Sequence, residues 1–496
     1  MITPDINEAK RLAASGEYKV IPVMKSVPSD YTTPIEVMRI LKNVSKHCFM
    51  LESVEDAKQW GRYTFLGYDP KLELTCIDHE LTVKSGMTIT QHVDHPGDYI
   101  RQILAENKSV RIEGMPSFTG GLVGYFSYDY IKYAEPSLKI TAKDEESFKD
   151  VDLMLFDKVI AFDNLKQEIH IIVNIKADDI ETEYNRALKE TADIARLLRE
   201  GEKAKIQPLK LLSDFSPLFN EEQYCEMVNK AKHYIHEGDI FQVVLSNRMM
   251  ANIEGSLFDT YRKLRMVNPS PYMFYFSSDD VEIAGASPET LVKLEDGVLH
   301  TFPLAGTRPR GKDDAEDKAL EKELLADEKE KSEHNMLVDL GRNDIGKISA
   351  IGTVEVEKYM EIERYSHVMH IGSTVRGQIA EGRDAIDAVD SILPAGTLSG
   401  APKLRACEII NELEDNKRGI YGGAIGYIDF TGNLDTCIAI RLAFAKNGKV
   451  FIRSGAGIVA DSVPENEYRE CINKAKAVVK SVTEAEGGID NDITDR

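Results

Sequence analysis

Two pairs of glutamates carry the first chemical signal. Glu330 and Glu333 stand three apart in DEKEKSEHNMLVDLGRND (327–344), and Glu467 and Glu470 repeat that spacing in DSVPENEYRECINKAKAV (461–478). Side chains three apart share one face of a helix, so each pair presents two carboxylates together. Two readings stand open. In a chain of formal net charge −22 such pairs can be solvated faces; set opposite one another, they offer the oxygen donors that a hard divalent cation takes. The lack of clustered histidine and cysteine would then favour Mg²⁺ over zinc. Ala326, Glu330, Glu333, Leu337 and Leu340 recur at steps of four and three, so the first pair lies in line with an apolar stripe, where unpaired charge is costly. In the second stretch Ser462 and Glu465 read as a capping box over Pro464, and Tyr468, Ile472, Ala475 and Val479 form the apolar face. Glu467, Glu470 and Lys474 lie off that face, and Lys474 reads as the i,i+4 partner of Glu470. By themselves, Glu289 in GASPE reads as a turn acid after Pro288, and His367 and His370 as satisfied core histidines.

These groups need a scaffold. At 496 residues the chain exceeds what one compact core usually supports, and with 42% hydrophobic residues a full core is expected. The acidic balance, with no dense Lys/Arg stripe, argues against nucleic-acid or anionic-membrane surfaces and leaves any anionic substrate in need of local cations. MITPDINEAKRLAASGEYKV has no apolar leader core and no run of 18 apolar residues occurs, so a cytoplasmic protein without membrane spans is expected. Cys48, Cys76, Cys225, Cys407, Cys437 and Cys471 are scattered without C-x-x-C spacing, as suits reduced thiols.

Alternating β-rich segments such as RYTFLGY, KLELTCI and QEIHIIVNI dominate residues 60–175, and a helix follows over roughly 178–200. EGEKAKIQPLKLLSDFSP then reads as a connection, which divides the chain into 1–205, a linker at 206–220, a domain at 221–485 and a frayed tail at 486–496. The second part opens with an amphipathic helix carrying Tyr224, Met227, Val228, Ala231 and Ile235, followed by the strand IFQVVLSNRM. Strands and helices then mix without a βαβ beat, so the fold class is α+β. GGLVGYFSYD (120–129) and GGAIGYIDF (422–430) share G-G-x-x-G-Y; neither opens a helix, so close packing of kinked strands is expected rather than phosphate binding.

Longer blocks add what spacing leaves open. SGAGIVADSVPENEYRECINKA, DEKEKSEHNMLVDLGRNDIG, PAGTLSGAPKLRACEII, PLAGTRPRG and GASPE together resemble the chorismate-utilising enzymes, in particular the large subunits of anthranilate synthases. The likeness is dense over 220–480 and reaches the first half through FMLESVE and GGLVGYFSYDY. It implies two β-sheets packed face to face, helices outside, and an active site in a cleft. By position it implies that Glu333 and Glu470 ligate Mg²⁺ and that Glu330 and Glu467 reach the ion through water. It also implies that Arg441 and Tyr421 hold an enolpyruvyl group, and that Gly455, Ala456 and Gly457 offer backbone N–H groups to a carboxylate. Gly306 and Thr307 would line the same pocket, and Lys474 would be a further carboxylate partner. Glu289 matches the acid that protonates a leaving hydroxyl, with His370 and Thr397 completing the polar site.

Two positions choose among the family's reactions. Gln242 stands where relatives that add water carry a lysine, and Ala305 where relatives that make 4-amino-4-deoxychorismate carry a nucleophilic lysine. Both imply amination of chorismate at C2 followed by pyruvate loss, giving anthranilate. The chain has no glutaminase cysteine motif, so ammonia is expected from a separate glutamine amidotransferase subunit in a hetero-oligomer. Ser53 in LESVE and Pro271, Tyr272 and Met273 in NPSPYMFYF match a site for inhibitory L-tryptophan, which makes 1–205 a regulatory region; PYMFYF alone reads as a buried strand. The rivals are an aminodeoxychorismate synthase, against which Ala305 stands, and an inactive tryptophan-binding subunit, against which the complete polar set stands.

Overall fold

A computed structural model describes residues 2–53, 61–364 and 368–489. Val54, Glu55, His367 and most of the expected tail lie outside the described residues. The strands form two antiparallel sheets, one of 14 strands and one of 12. Phe49, Phe65, Phe274 and Phe451 of the larger sheet meet Val123, Met154, Phe156 and Ile425 of the smaller in a shared core, with the Phe49 and Phe156 rings edge to face at 4.7 Å. Separate apolar clusters pack helices onto the outer face of each sheet. The α+β reading and the face-to-face sheets therefore stand. Among the described residues no helix is long and apolar enough to cross a membrane, and all six thiols are free.

Both sheets draw strands from either side of 206–220. Cys48–Glu52 pairs with Tyr272–Ser277 in the larger sheet, and Gly121–Phe126 pairs with Ala424–Asp429 in the smaller. Within the expected linker, Lys210–Leu211 and Ser216–Pro217 both pair with Gln242–Glu254. The boundary there thus leaves the sheets undivided.

The repeated G-G-x-x-G-Y motif is the seam between the halves. Gly124 lies directly opposite Gly426. A Cβ on Gly124 would fall 2.0 Å from the Asp152 carbonyl, and one on Gly426 2.0 Å from the Asp435 carbonyl. Only glycine admits backbones this close, and Gly124 further holds φ at +154°.

Two local expectations fail. The stripe through Ala326 is broken, because Asp314–Ala326 and Glu328–Gly346 are separate helices and Asp327 caps the second by accepting from the Lys329 and Glu330 amides. Likewise the final helix, Pro464–Glu484, has Val463 at its N-cap. Ser462 instead closes the preceding turn by accepting from the Val459 amide at 3.1 Å, so no capping box forms with Glu465.

Candidate active site

The functional side chains gather where chain segments pass from one sheet to the other. Glu282–Ser287 belongs to the larger sheet and Thr290–Glu295 to the smaller, so Glu289 sits on the crossing. Leu434–Ile438 and Leu442–Lys446 make the return crossing, which carries Arg441 at φ +50°. The crossings are bonded together: the Ile438 amide donates to the Glu289 carbonyl at 2.9 Å and the Ala286 amide to the Arg441 carbonyl at 3.1 Å. Thr397, on the short Gly396–Leu398 turn, donates its hydroxyl to Glu289 Oε1 at 3.3 Å. Burial pushes the Glu289 carboxyl up to about 7, against the opposing pull of Thr397 and the Arg441 charge. Glu289 and Thr397 also line a small cavity of about 40 Å³ with Leu337, Leu340 and Asp344.

His370 comes from Val368–Gln378, which pairs with Leu304–Pro309. Register slips between Ala305 and Arg308, and Gly306 takes φ +64°, so Gly306 and Thr307 bulge toward the histidine. His370 Nδ1 lies 2.8 Å from the Gly306 carbonyl and 3.1 Å from the Thr307 hydroxyl. A carbonyl only accepts, so Nδ1 carries the proton and Nε2 keeps its lone pair. Burial, with Arg441 nearby, lowers the imidazole pKa and keeps the ring neutral.

Gly455, Ala456 and Gly457 lie on Lys449–Ile458, opposite Ser246, Leu245 and Val244 of Gln242–Glu254. Each flanking glycine receives a neighbour: a Cβ on Gly455 would stand 3.1 Å from the Tyr421 hydroxyl, and one on Gly457 2.7 Å from Gln242 Nε2. The buried Gln242 Oε1 has no hydrogen-bond partner among the described residues. Behind this wall is a buried network that spacing did not flag. Arg418 donates to the Leu398 and Val244 carbonyls, each at 2.7 Å, and forms two hydrogen bonds to the Glu414 carboxylate. Its guanidinium stacks on Tyr128 at 4.4 Å and lies 5.9 Å from the Tyr421 ring. It thus fixes the Thr397 turn, the Gln242 strand and Tyr421 together. The one sequence signal was Glu414 and Arg418 at helical i,i+4 spacing, which usually marks a surface pair.

The glutamates of the two helices share one electrostatic neighbourhood. Desolvation raises the Glu333 pKa, as do the charges of Glu330 and of Glu470 on the other helix. Desolvation also raises Glu467, with Glu470 adding to it. Glu330 leans toward Arg308 at 3.7 Å and packs beside Gly306. Lys474 pairs with Glu470 at 2.7 Å and donates to the Gly455 carbonyl at 3.2 Å, so the i,i+4 pair also ties the helix to the glycine strand. Among the described residues, the one trio with ligand atoms within 4.8 Å of each other is His47, Glu73 and Asp279. Lys84 and Lys149 already neutralise Glu73 there. The four glutamates stand further apart, yet they form an all-oxygen donor set whose crowded negative charge fits a hard cation.

A second, larger cavity of about 400 Å³ lies between the sheets. Ser53, Pro271, Tyr272 and Met273 line it with Phe65 and Tyr427, and Arg62, Lys293 and Asp435 add charge. Tyr272 and Met273 belong to the strand expected for PYMFYF and also line this cavity. The Ser53 hydroxyl is buried without a hydrogen-bond partner among the described residues.

Comparison with known proteins follows the same lines. A family described as chorismate binding enzyme matches residues 47–480. Anthranilate synthase component 1 of Acetivibrio thermocellus is 46% identical over 98% of this chain and 99% of its own, and that of Aquifex aeolicus (strain VF5) is 44% identical over 97% and 98%. The crystal structure of anthranilate synthase component I from Streptococcus pneumoniae TIGR4 superposes with a TM-score of 0.75 at 38% identity, covering 91% of this chain and 98% of that one.

Proposed function

The chain belongs to the chorismate binding enzymes, within their anthranilate synthase component 1 branch, and from that premise we propose that it aminates chorismate at C2 and releases anthranilate. The observation that carries the chemistry is Glu289, a desolvated carboxyl held at about 7 beside Thr397. Ammonia adds at C2 and the C4 hydroxyl departs as water, taking its proton from Glu289. Hydroxide is a poor leaving group, so an acid protonated near neutral pH is what this step needs. Loss of the C2 proton then expels pyruvate and aromatises the ring. Neutral His370, with lone-pair Nε2 fixed by its Nδ1–H bond to Gly306, is the base suited to that proton.

Arg441 and Tyr421 hold the enolpyruvyl end. Guanidinium geometry matches a carboxylate, and the Arg441 charge already acts on both Glu289 and His370. The Gly455–Gly457 backbone, Gly306, Thr307 and Lys474 complete the binding wall. Glu333 and Glu470 would ligate Mg²⁺, with Glu330 and Glu467 behind them. The ion would neutralise the ring carboxylate and fix its orientation. Ammonia comes from a glutamine amidotransferase partner, and L-tryptophan fills the larger cavity as feedback inhibitor. The cavity suits a zwitterion with an aromatic body, since apolar walls meet a few charged groups.

The test mixes purified chain, chorismate, ammonium and Mg²⁺ and follows anthranilate fluorescence. Product that disappears with EDTA supports the reaction and its metal. Intact chorismate would favour an inactive binding subunit, and a 4-amino product would mean that Ala305 does not exclude the other amination.

A further inference from the structure

The two cavities share a pair of neighbouring strands. Along Thr290–Glu295, Thr290 and Leu291 line the small cavity at Glu289, while Lys293 and Glu295 line the large one. Along Leu434–Ile438, Asp435 and Cys437 face the large cavity and Ile438 the small one. Thr290 lies opposite Cys437 in register, and a bulge follows it before Val292.

One side chain spans the partition. Tyr272, a wall of the large cavity, donates its hydroxyl to Asp435 Oδ1 at 2.9 Å and lies 3.0 Å from Thr290 Oγ1. Because the carboxylate can only accept, the tyrosine proton points to Asp435 and its oxygen receives the Thr290 hydroxyl. Thr290 is bonded in sequence to Glu289. The Glu289 carbonyl takes the Ile438 amide at 2.9 Å and lies 3.4 Å from the Ser287 hydroxyl, while its amide meets Ser287 Oγ at 3.3 Å.

We propose that Tyr272 is the positioning residue through which a ligand in the large cavity reaches Glu289. A ligand seated against Tyr272 and Asp435 redirects the tyrosine hydroxyl, releases Thr290, and lets the 287–290 crossing turn Glu289 away from Thr397. The bistable element is that crossing, and both cavities bias it. The inference rests on the reading of the large cavity as the tryptophan site.

The test titrates L-tryptophan into the full chain by calorimetry and, in parallel, measures kcat for anthranilate formation from ammonium and saturating chorismate. In the wild type, saturating tryptophan should lower kcat by about 5- to 150-fold, the usual range of coupling between two sites. Y272F and T290V should still bind tryptophan within about tenfold of wild type, as expected when one hydrogen bond is lost. Because either substitution removes the Tyr272–Thr290 bond that the ligand is proposed to break, their kcat without tryptophan should already lie about 5- to 150-fold below the wild-type value, and tryptophan should lower it by no more than about a further twofold. T290S keeps the hydroxyl and should remain fully inhibited. Variants that keep the wild-type kcat without tryptophan, or that bind tryptophan and then lose kcat as completely as the wild type, overturn the proposal. A wild type that gives no binding heat overturns the effector reading, and this inference with it. If Y272F fails to fold, the contrast between T290V and T290S decides the matter alone.

Discussion

The catalytic cleft and the cavity beneath Tyr272 are built from the same two sheets by opposite means. In the cleft, the charged groups proposed to carry the chemistry stay close to solvent: Glu470 and Lys474 are each about half exposed, at 51% and 54%. In the cavity, the polar atoms are withdrawn among aromatic rings, and the buried Ser53 hydroxyl has no partner among the described residues. Glu289 belongs to neither extreme. It hangs from a crossing between the sheets, desolvated enough to hold its proton yet within reach of both regions. On the proposed reading, the difference teaches that regulation could be changed without touching catalysis only on the cavity side, with the crossing as the place where the two would meet.

Substitutions can sharpen that contrast, and the largest effect should come from the crossing. Glu289→Gln removes the acid and should lower kcat by about 10³-fold, within the usual range for general acid catalysis, while leaving tryptophan binding intact. A loss under tenfold in the ammonium-dependent assay would remove Glu289 from the acid role. Next in size, Glu333→Gln or Glu470→Gln should cut turnover at least about tenfold and raise the Mg²⁺ concentration needed for half-maximal rate, as losses at metal sites do. Undiminished activity at low Mg²⁺ would refute the ligand assignment. Ser53→Ala should weaken tryptophan inhibition by about tenfold, the scale of one buried hydrogen bond, and spare kcat; unchanged inhibition curves would move the effector elsewhere. The smallest test needs no substitution. An acid whose pKa is raised stays protonated until pH passes that value, so kcat at fixed free ammonia should fall as pH climbs through about 7. A flat alkaline limb would detach Glu289 from the rate-limiting proton transfer.

Much of this was legible in the residues, and the failures have physical causes. The glutamate pairs at 330/333 and 467/470 could be placed on helices because i,i+3 spacing survives a misjudged helix start. The start itself was not legible: Asp327 and Ser462 both bond backbone amides in turns, a local competition that apolar periodicity does not register. The glycine echo was read correctly as close strand packing, but nothing in one strand states that its partner is the other copy. Arg418 and Glu414 look like an ordinary surface pair by spacing; their burial depends on three separate segments converging, which is tertiary information. The crossing that carries Glu289 was likewise invisible, because GASPE shows a turn and not the change of sheet beneath it.

The seam at Gly124 and Gly426 also dictates when the protein can be finished during its synthesis. The 121–126 strand has a partner on one side in Val151–Phe156, but its other neighbour, Ala424–Asp429, follows far later in the chain. Until then a nascent chain carries an open, apolar strand edge, the kind of surface that invites wrong pairing. The burden of folding this enzyme therefore falls on the wait for 424–429 and on whatever shields that edge until they are added.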